Sequence, residues 1–254
     1  MKVTFLGTGT SQGVPIIGCD CEVCSSKDPK DKRLRPSVLI SKNNTNILVD
    51  IGPDFRQQIL GNKIKDLHAI LLTHEHNDHI IGLDDVRPFN FIYRKNMPVY
   101  CVERVAKDLK QRFSYVFDNN PYPGAPRIEL NLINEHDPFK VEGLEVIPVE
   151  VFHGNLSVLG FRFDDFTYIT DAKTFPEQSI EKIKGTKVLV LNALHHKEHH
   201  SHLNLEQALE FVKFIQPEKA FFVHISHSMG LHAEVNKKLP KHVSLAHDGL
   251  VVNL

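Results

Sequence analysis

The chain has 254 residues, 41% of them hydrophobic and 24% charged, with a formal net charge of −1. This is the profile of an ordinary globular protein with the length for one large core, and it excludes disordered and collagen-like classes. Near-neutral charge gives no global attraction to nucleic acid, and no apolar run approaches the ~18–20 residues that cross a bilayer.

Met1–Gly7 passes directly into a strand-like segment and lacks the longer apolar stretch and small-residue cleavage site of a secretory signal, so a cytoplasmic location is expected. Lys2–Leu6 reads as a strand ending in the small-residue turn Gly7-Thr8-Gly9-Thr10. Val38–Ile40 and Asn46–Asp50 read as a hairpin with turn-forming asparagines at its tip. A helix is expected over Asp54–Leu60, stopping at Gly61. His68–Leu72 is a short apolar run of the buried-strand type. Glu103–Phe117 is helical in pattern. Further strands are expected at 128–132, 144–151, 159–163, 166–170, 188–191 and 220–223. Between the last two lies a helix from about Leu205 to Ile215, with Asn204 and Gln207 in a capping-box pattern. No internal repeat or Ser/Gly linker interrupts this order, and residues 1–254 are read as one domain. Two sheets packed face to face with helices outside accommodate such a sequence of elements.

The chemistry starts at Thr73-His74-Glu75-His76-Asn77-Asp78-His79, where four potential metal ligands fall within six residues at the end of an apolar strand. Two imidazoles two residues apart can address one cation, and the adjacent Asp-His pair can turn toward a second. Imidazole nitrogen combined with carboxylate oxygen suits zinc, iron or manganese. The competing reading is a polar surface loop that happens to be rich in histidine.

A second cluster, Cys19, Cys21 and Cys24, sets three thiols within six residues. In a reducing compartment such spacing points to metal more than to disulfides, and a tetrahedral zinc site needs one more donor. His227, in His224-Ile225-Ser226-His227, is the best candidate. Buried free thiols and redox cysteines are the alternatives. Cys101, isolated after Met97–Tyr100, reads as a core thiol.

His-x-His-x-Asp-His after an apolar strand resembles the signature of the metallo-β-lactamase superfamily, whose fold is a four-layer αββα sandwich. That resemblance implies a dinuclear centre. His74, His76 and His153 would hold the first metal, Asp78, His79 and His224 the second, and Asp171 would bridge them, with Asp50 bracing the loop from behind. It also implies attack by a metal-bridging hydroxide and a histidine general acid. His200 and His202, just before the capped helix, are both candidates for that acid. The Gly7–Pro15 segment, the cysteine cluster and His-Ile-Ser-His are similar to the PhnP-type branch of cyclic-phosphate phosphodiesterases. That likeness implies a structural zinc on Cys19, Cys21, Cys24 and His227, and a homodimer. Arg33, Arg35 and Pro36 resemble a basic segment of the same branch, where an arginine could meet a phosphate; Lys30–Arg35 can also be a solvated charge run. His202 departs from the aspartate that some relatives carry there.

The leading expectation is therefore a phosphodiesterase acting on a small cyclic or diester phosphate. A tRNA 3′-processing nuclease is an alternative, but it would need a basic arm, and Asn119–Pro126 is short and uncharged. A lactone or thioester hydrolase, or a metal-binding protein without turnover, are the others.

Overall fold

The computed structural model describes all residues from Met1 to Leu254. The first sheet contains β1 (Lys2–Gly7), β2 (Ser37–Lys42), β3 (Thr45–Val49), β4 (Ala69–Leu71), β5 (Met97–Cys101) and β6 (Ile128–Leu132). The second contains β7 (Phe139–Val141), β8 (Leu144–His153), β9 (Leu156–Phe163), β10 (Phe166–Tyr168), β11 (Val188–Asn192), β12 (Lys219–Val223) and β13 (Val243–Leu245). The last strand, β14 (Val251–Asn253), returns to the first sheet beside β1, giving the orders β14-β1-β2-β3-β4-β5-β6 and β13-β12-β11-β10-β9-β8-β7.

Both sheets follow one plan. Antiparallel pairs come first, β1 with β2 and β2 with β3, or β7 with β8 through β9 with β10; parallel pairs then run from β3 to β6 and from β10 to β13. The carboxyl ends of the parallel strands therefore point to one rim, where α/β sheets present their functional loops.

Alternation along β11 shows how the layers are built. Val188 and Val190 join the core between the sheets, whereas Leu189 and Leu191 join the core between the second sheet and its helices. Successive strand side chains point to opposite faces, so an apolar run with both faces covered identifies a central strand. The helix Leu205–Ile215 buries Ala208, Val212 and Ile215, spaced four and three residues apart, in that outer core. Its capping box forms as expected: Asn204 Oδ1 accepts from Gln207 N at 2.9 Å, and Gln207 Oε1 accepts from Asn204 N at 3.3 Å. The result is the expected four-layer αββα sandwich. No helix is long and apolar enough to cross a membrane.

Several elements differ from expectation. The helix expected over Glu103–Phe117 ends at Arg112. Phe113 to Phe117 continues as tight turns, with Val116 N donating to Phe113 O and Phe117 N to Ser114 O, so buried Phe113 and Val116 keep a three-residue period without a helix. The charged segment before β2 is not solvated throughout. Arg33 is buried; its Nη1 donates to Thr8 Oγ1 at 2.7 Å and Ala246 O at 2.6 Å, and its Nη2 lies 3.1 Å from His232 Nδ1. Burial draws its pKa down to about 10, which leaves it charged at neutral pH. Arg35 pairs with Asp54 at 3.3 Å. Both arginines thus brace the chain. Cys101 is a buried thiol on β5, and burial pushes it up to about 12.

Candidate metal centre

The rim joins strand ends from both sheets. Asp50 follows β3, Thr73 and His74 lie just beyond β4, His153 closes β8, Asp171 follows β10, and His224 follows β12. Three of these turn sharply: Asp50, Asp171 and His224 have φ of 64°, 56° and 54°. Left-handed backbone is uncommon outside glycine, although Asp, Asn and His tolerate it best, and such conformations cost roughly 1–3 kcal/mol each. The sandwich over-determines them and so aims three side chains at one place.

Asp78, His79, Asp171 and His224 form one group whose donor atoms lie within 4.8 Å of one another, and His74, His76 and Asp171 form a second. Asp171 belongs to both, with Oδ1 3.3 Å from His224 Nε2 and Oδ2 3.5 Å from His79 Nε2 and 3.8 Å from His74 Nε2. His79 Nε2 lies 3.2 Å from Asp78 Oδ2. Donors placed tetrahedrally at ~2.0 Å from one ion sit roughly 3.3 Å apart, which is the spacing seen here. The Nε2 atoms of His79 and His224 are buried without a hydrogen-bond partner. Buried polar atoms are seldom left unpaired, and two imidazoles and two carboxylates facing one point in this way fit divalent cations.

His153 sits differently. Its donor atom groups with those of Asp171 and His202, and its ring is 5.4 Å from that of His76 and 6.0 Å from that of His74. Its Nδ1 is held 2.8 Å from Ser201 O. A histidine whose far nitrogen is fixed by a carbonyl presents the other to a ligand. His79 is fixed likewise: Nδ1 lies 2.6 Å from Asp50 Oδ2, while Asp50 also accepts from Thr73 N and Thr73 Oγ1, both at 2.9 Å.

Charge follows this geometry. Burial pushes His79 down, but Asp78, Asp50 and Asp171 together hold it well above the usual histidine range. Burial raises Asp78 and Asp171, yet both fall below the usual carboxylate range, His79 dominating for the first and His224 for the second. His74 is driven low by burial and then by His79. In the absence of metal the two carboxylates thus keep their charge, which is the form that coordinates.

Of the two candidate acids, His200 is exposed, whereas His202 is buried with its ring 4.3 Å from His153 and 4.6 Å from His224. Burial and then His224 push His202 down to about 2.

The cysteine cluster lies alongside. His227 Nδ1 is 3.4 Å from Cys19 Sγ, 3.3 Å from Cys21 Sγ and 3.6 Å from Cys24 Sγ. A tetrahedral zinc ion ~2.3 Å from sulfur and ~2.0 Å from nitrogen separates those donors by roughly 3.5 Å, so the four side chains fit it. The Cys24 backbone N–H draws Cys21 down to about 6, whereas burial pushes Cys24 up to about 11.

Sequence reasoning did not find Asn192. Its Oδ1 accepts from Ala172 N at 2.7 Å and its Nδ2 donates to Ala172 O at 3.0 Å, clamping the turn that carries Asp171. The available signal was a polar residue ending an otherwise apolar strand. Gly52 was also missed as a site residue: a Cβ there would lie 2.1 Å from Asp78 O.

This fold and rim belong to the beta-lactamase superfamily, of which the chain is a member: the model of the beta-lactamase superfamily domain matches residues 45–225. Within it the chain is PhnP-like. A crystal structure described as a new diphosphatase from the PhnP family is 41% identical, with a TM-score of 0.93 and coverage of 100% of this chain and 97% of that one. A curated relative named octanoyltransferase, from Porphyromonas gingivalis, is 41% identical over 252 residues, 98% of this chain and 51% of the relative. The chain thus spans about half the length of that relative. Zinc-bound PqqB from Methylobacterium extorquens, 20% identical with a TM-score of 0.81 and full coverage of both chains, shares the fold.

Proposed function

We propose that this chain is a dinuclear metal-dependent phosphodiesterase that cleaves a small cyclic or diester phosphate. The observation that carries the reading is Asp171, one buried carboxylate facing two groups of donors, in the first of which the Nε2 atoms of His79 and His224 have no other partner. His74, His76 and His153 would hold one cation, Asp78, His79 and His224 the other, with Asp171 shared. When bound, such a pair supplies a nucleophilic water at neutral pH and positive charge opposite the phosphate oxygens. Zinc and manganese suit the donors best, with iron possible on the same set. Cys19, Cys21, Cys24 and His227 would hold a separate structural zinc.

The remaining roles belong to the chain. Asp50 and Ser201 O orient His79 and His153, and Asn192 fixes Asp171. His202 faces the cluster beside His224 and delivers a proton to the leaving alkoxide. An anionic phosphate against its ring would favour the protonated imidazole. We place the enzyme in the cytoplasm, where thiols stay reduced and three of the four cysteines would be available to zinc.

Hydrolysis of bis(p-nitrophenyl) phosphate with added Mn²⁺ tests the reading. No turnover, or turnover that survives Asp171→Ala, ends it. His202→Ala should slow an alkyl diester far more than a p-nitrophenyl ester, whose phenolate leaves without help. A thioester or lactone hydrolase of the same superfamily is the second reading; the Porphyromonas gingivalis relative is named octanoyltransferase, but this chain spans only about half of it. Turnover of acyl thioesters that inorganic phosphate does not inhibit would select it. Asn119–Pro126 forms turns and no strand or helix, which counts against a tRNA-gripping arm.

A further inference from the structure

The loop His74-Glu75-His76-Asn77-Asp78 alternates in role. His74, His76 and Asp78 belong to the donor groups around Asp171, whereas Glu75 and Asn77 belong to neither. Each of these two instead accepts from an arginine of the helix Glu103–Arg112. Arg104 Nη1 donates to Glu75 Oε1, and Arg112 Nη1 donates to Asn77 Oδ1. Arg104, Asp108 and Arg112 recur every four residues and so form one stripe along that helix, where Asp108 Oδ2 accepts from Arg112 Nε at 2.5 Å. Val105, Ala106 and Leu109 beside the stripe are buried in the larger apolar core and hold the helix still.

Arg104 also reaches a second segment. Its Nη2 donates to Ser157 O at 2.6 Å. Ser157 lies on β9 opposite Phe152, one step from the His153–Leu156 pair at the end of the β8–β9 hairpin. Ser157 Oγ in turn donates to Glu150 Oε1 at 2.6 Å within the same hairpin. One guanidinium thus spans from the residue between His74 and His76 to the hairpin that carries His153. A main-chain bond, Leu159 N to Thr73 O at 3.0 Å, joins the same two segments ahead of His74, and Arg104 joins them behind it.

The two donor sets differ in their need for such a bridge. Asp78, His79, Asp171 and His224 already gather in one group, but His153 stands outside the group of His74, His76 and Asp171. Glu75 makes the bridge hard to replace. Its Oε2 is buried without a partner, so Arg104 alone compensates its charge. Without the guanidinium the carboxylate must turn toward water, and the histidines on either side move with it. Lysine carries the charge but lacks the fork that meets two acceptors at once.

We infer that Arg104 is a positioning residue for the first cation: it sets the span between the His74–His76 turn and His153, and leaves the donors of the second cation untouched. The inference rests on the two-cation reading of the rim and on no particular substrate.

Manganese content tests it. The protein is loaded with Mn²⁺ and dialysed against rising chelator, with elemental analysis for ions retained and electron paramagnetic resonance to separate a coupled pair from an isolated ion. Arg104→Ala should lose one manganese at a chelator concentration roughly 10–100-fold below that needed for the unmodified protein, the usual cost of a supporting partner. The other ion should stay as long as before and give the spectrum of an isolated ion. Arg104→Lys should show the same order of loss to a smaller degree, and Glu75→Gln, which keeps an acceptor for Nη1, a smaller one still. The lysine variant keeps the test open if alanine prevents folding, which a thermal melt reveals. Both ions retained as in the unmodified protein, both lost together in a folded variant, or a lysine variant equal to the unmodified protein would each overturn the inference while the two-cation reading stands. An unmodified protein that never holds a coupled pair would remove that reading itself.

Discussion

The two donor clusters of this molecule are built on opposite principles. The cluster around Asp171 gathers side chains from both sheets, and three residues at its strand ends sit in left-handed backbone without being glycine. The cluster around Cys24 takes three donors from one loop and one from the turn at His227, and its own left-handed position, at φ 76°, is filled by Gly18. The first depends on the finished sandwich to hold its strain; the second draws three donors from one segment and depends on the sandwich only for His227. They meet through the three-residue step from His224 to His227. This contrast implies that damage to the first should abolish chemistry in a folded protein, whereas damage to the second should cost local order first.

The sharpest way to break the contrast is Asp171→Ala. It should lower kcat by more than the ~100-fold that marks loss of a supporting partner, and reduce metal content at the rim, with little change in melting temperature. Metal analysis beside a thermal melt decides, and a large fall in melting temperature would show that the centre is structural. Asp50→Asn comes next. It weakens the grip on His79 Nδ1 and should cost about 10–100-fold in activity or metal affinity, measured by titration with a chelator. Gly52→Ala sets a Cβ against Asp78 O and should destabilise by roughly 1–3 kcal/mol while loosening the metal loop. Chemical denaturation reads the first effect and metal titration the second. Cys24→Ser should remove one zinc per chain and open the Val14–Arg33 loop to hydrogen exchange while leaving the Asp171 group loaded. Loss of every metal together would join the two clusters into one unit. The smallest effect is expected at Asn204→Ala, which removes a cap worth ~0.5–2 kcal/mol from a helix behind the second sheet and should leave kcat nearly unchanged.

The sequence made much of this legible because the chemistry sits where periodicity stops. The apolar run to Leu72 ends at the first histidines, and the run to Val223 ends at His224, so strand ends and donors could be read together. Asn204 and Gln207 announced the start of their helix because a capping box is local. What escaped reading depends on distant partners. Arg33 looks like part of a charged run; only Thr8, Ala246 and His232, far off in the chain, show that it is buried. His200 and His202 are equivalent by spacing, and the path of the loop before Asn204 decides which one faces His224. The short strands β13 and β14 carry too few residues for a pattern. The overlong helix at Glu103 arose because turns after Arg112 keep a helical spacing of Phe113 and Val116.

The pairing of β1 with β14 has a consequence for how the molecule is made. Val3 lies opposite Val252, so β1 is made well before β14 and waits for it before its second edge is covered. Until β14 emerges that edge offers unpaired amides and carbonyls to any passing strand. A nascent chain stalled before β14 would therefore be prone to self-association, and a chaperone on β1 and β2 would suppress it.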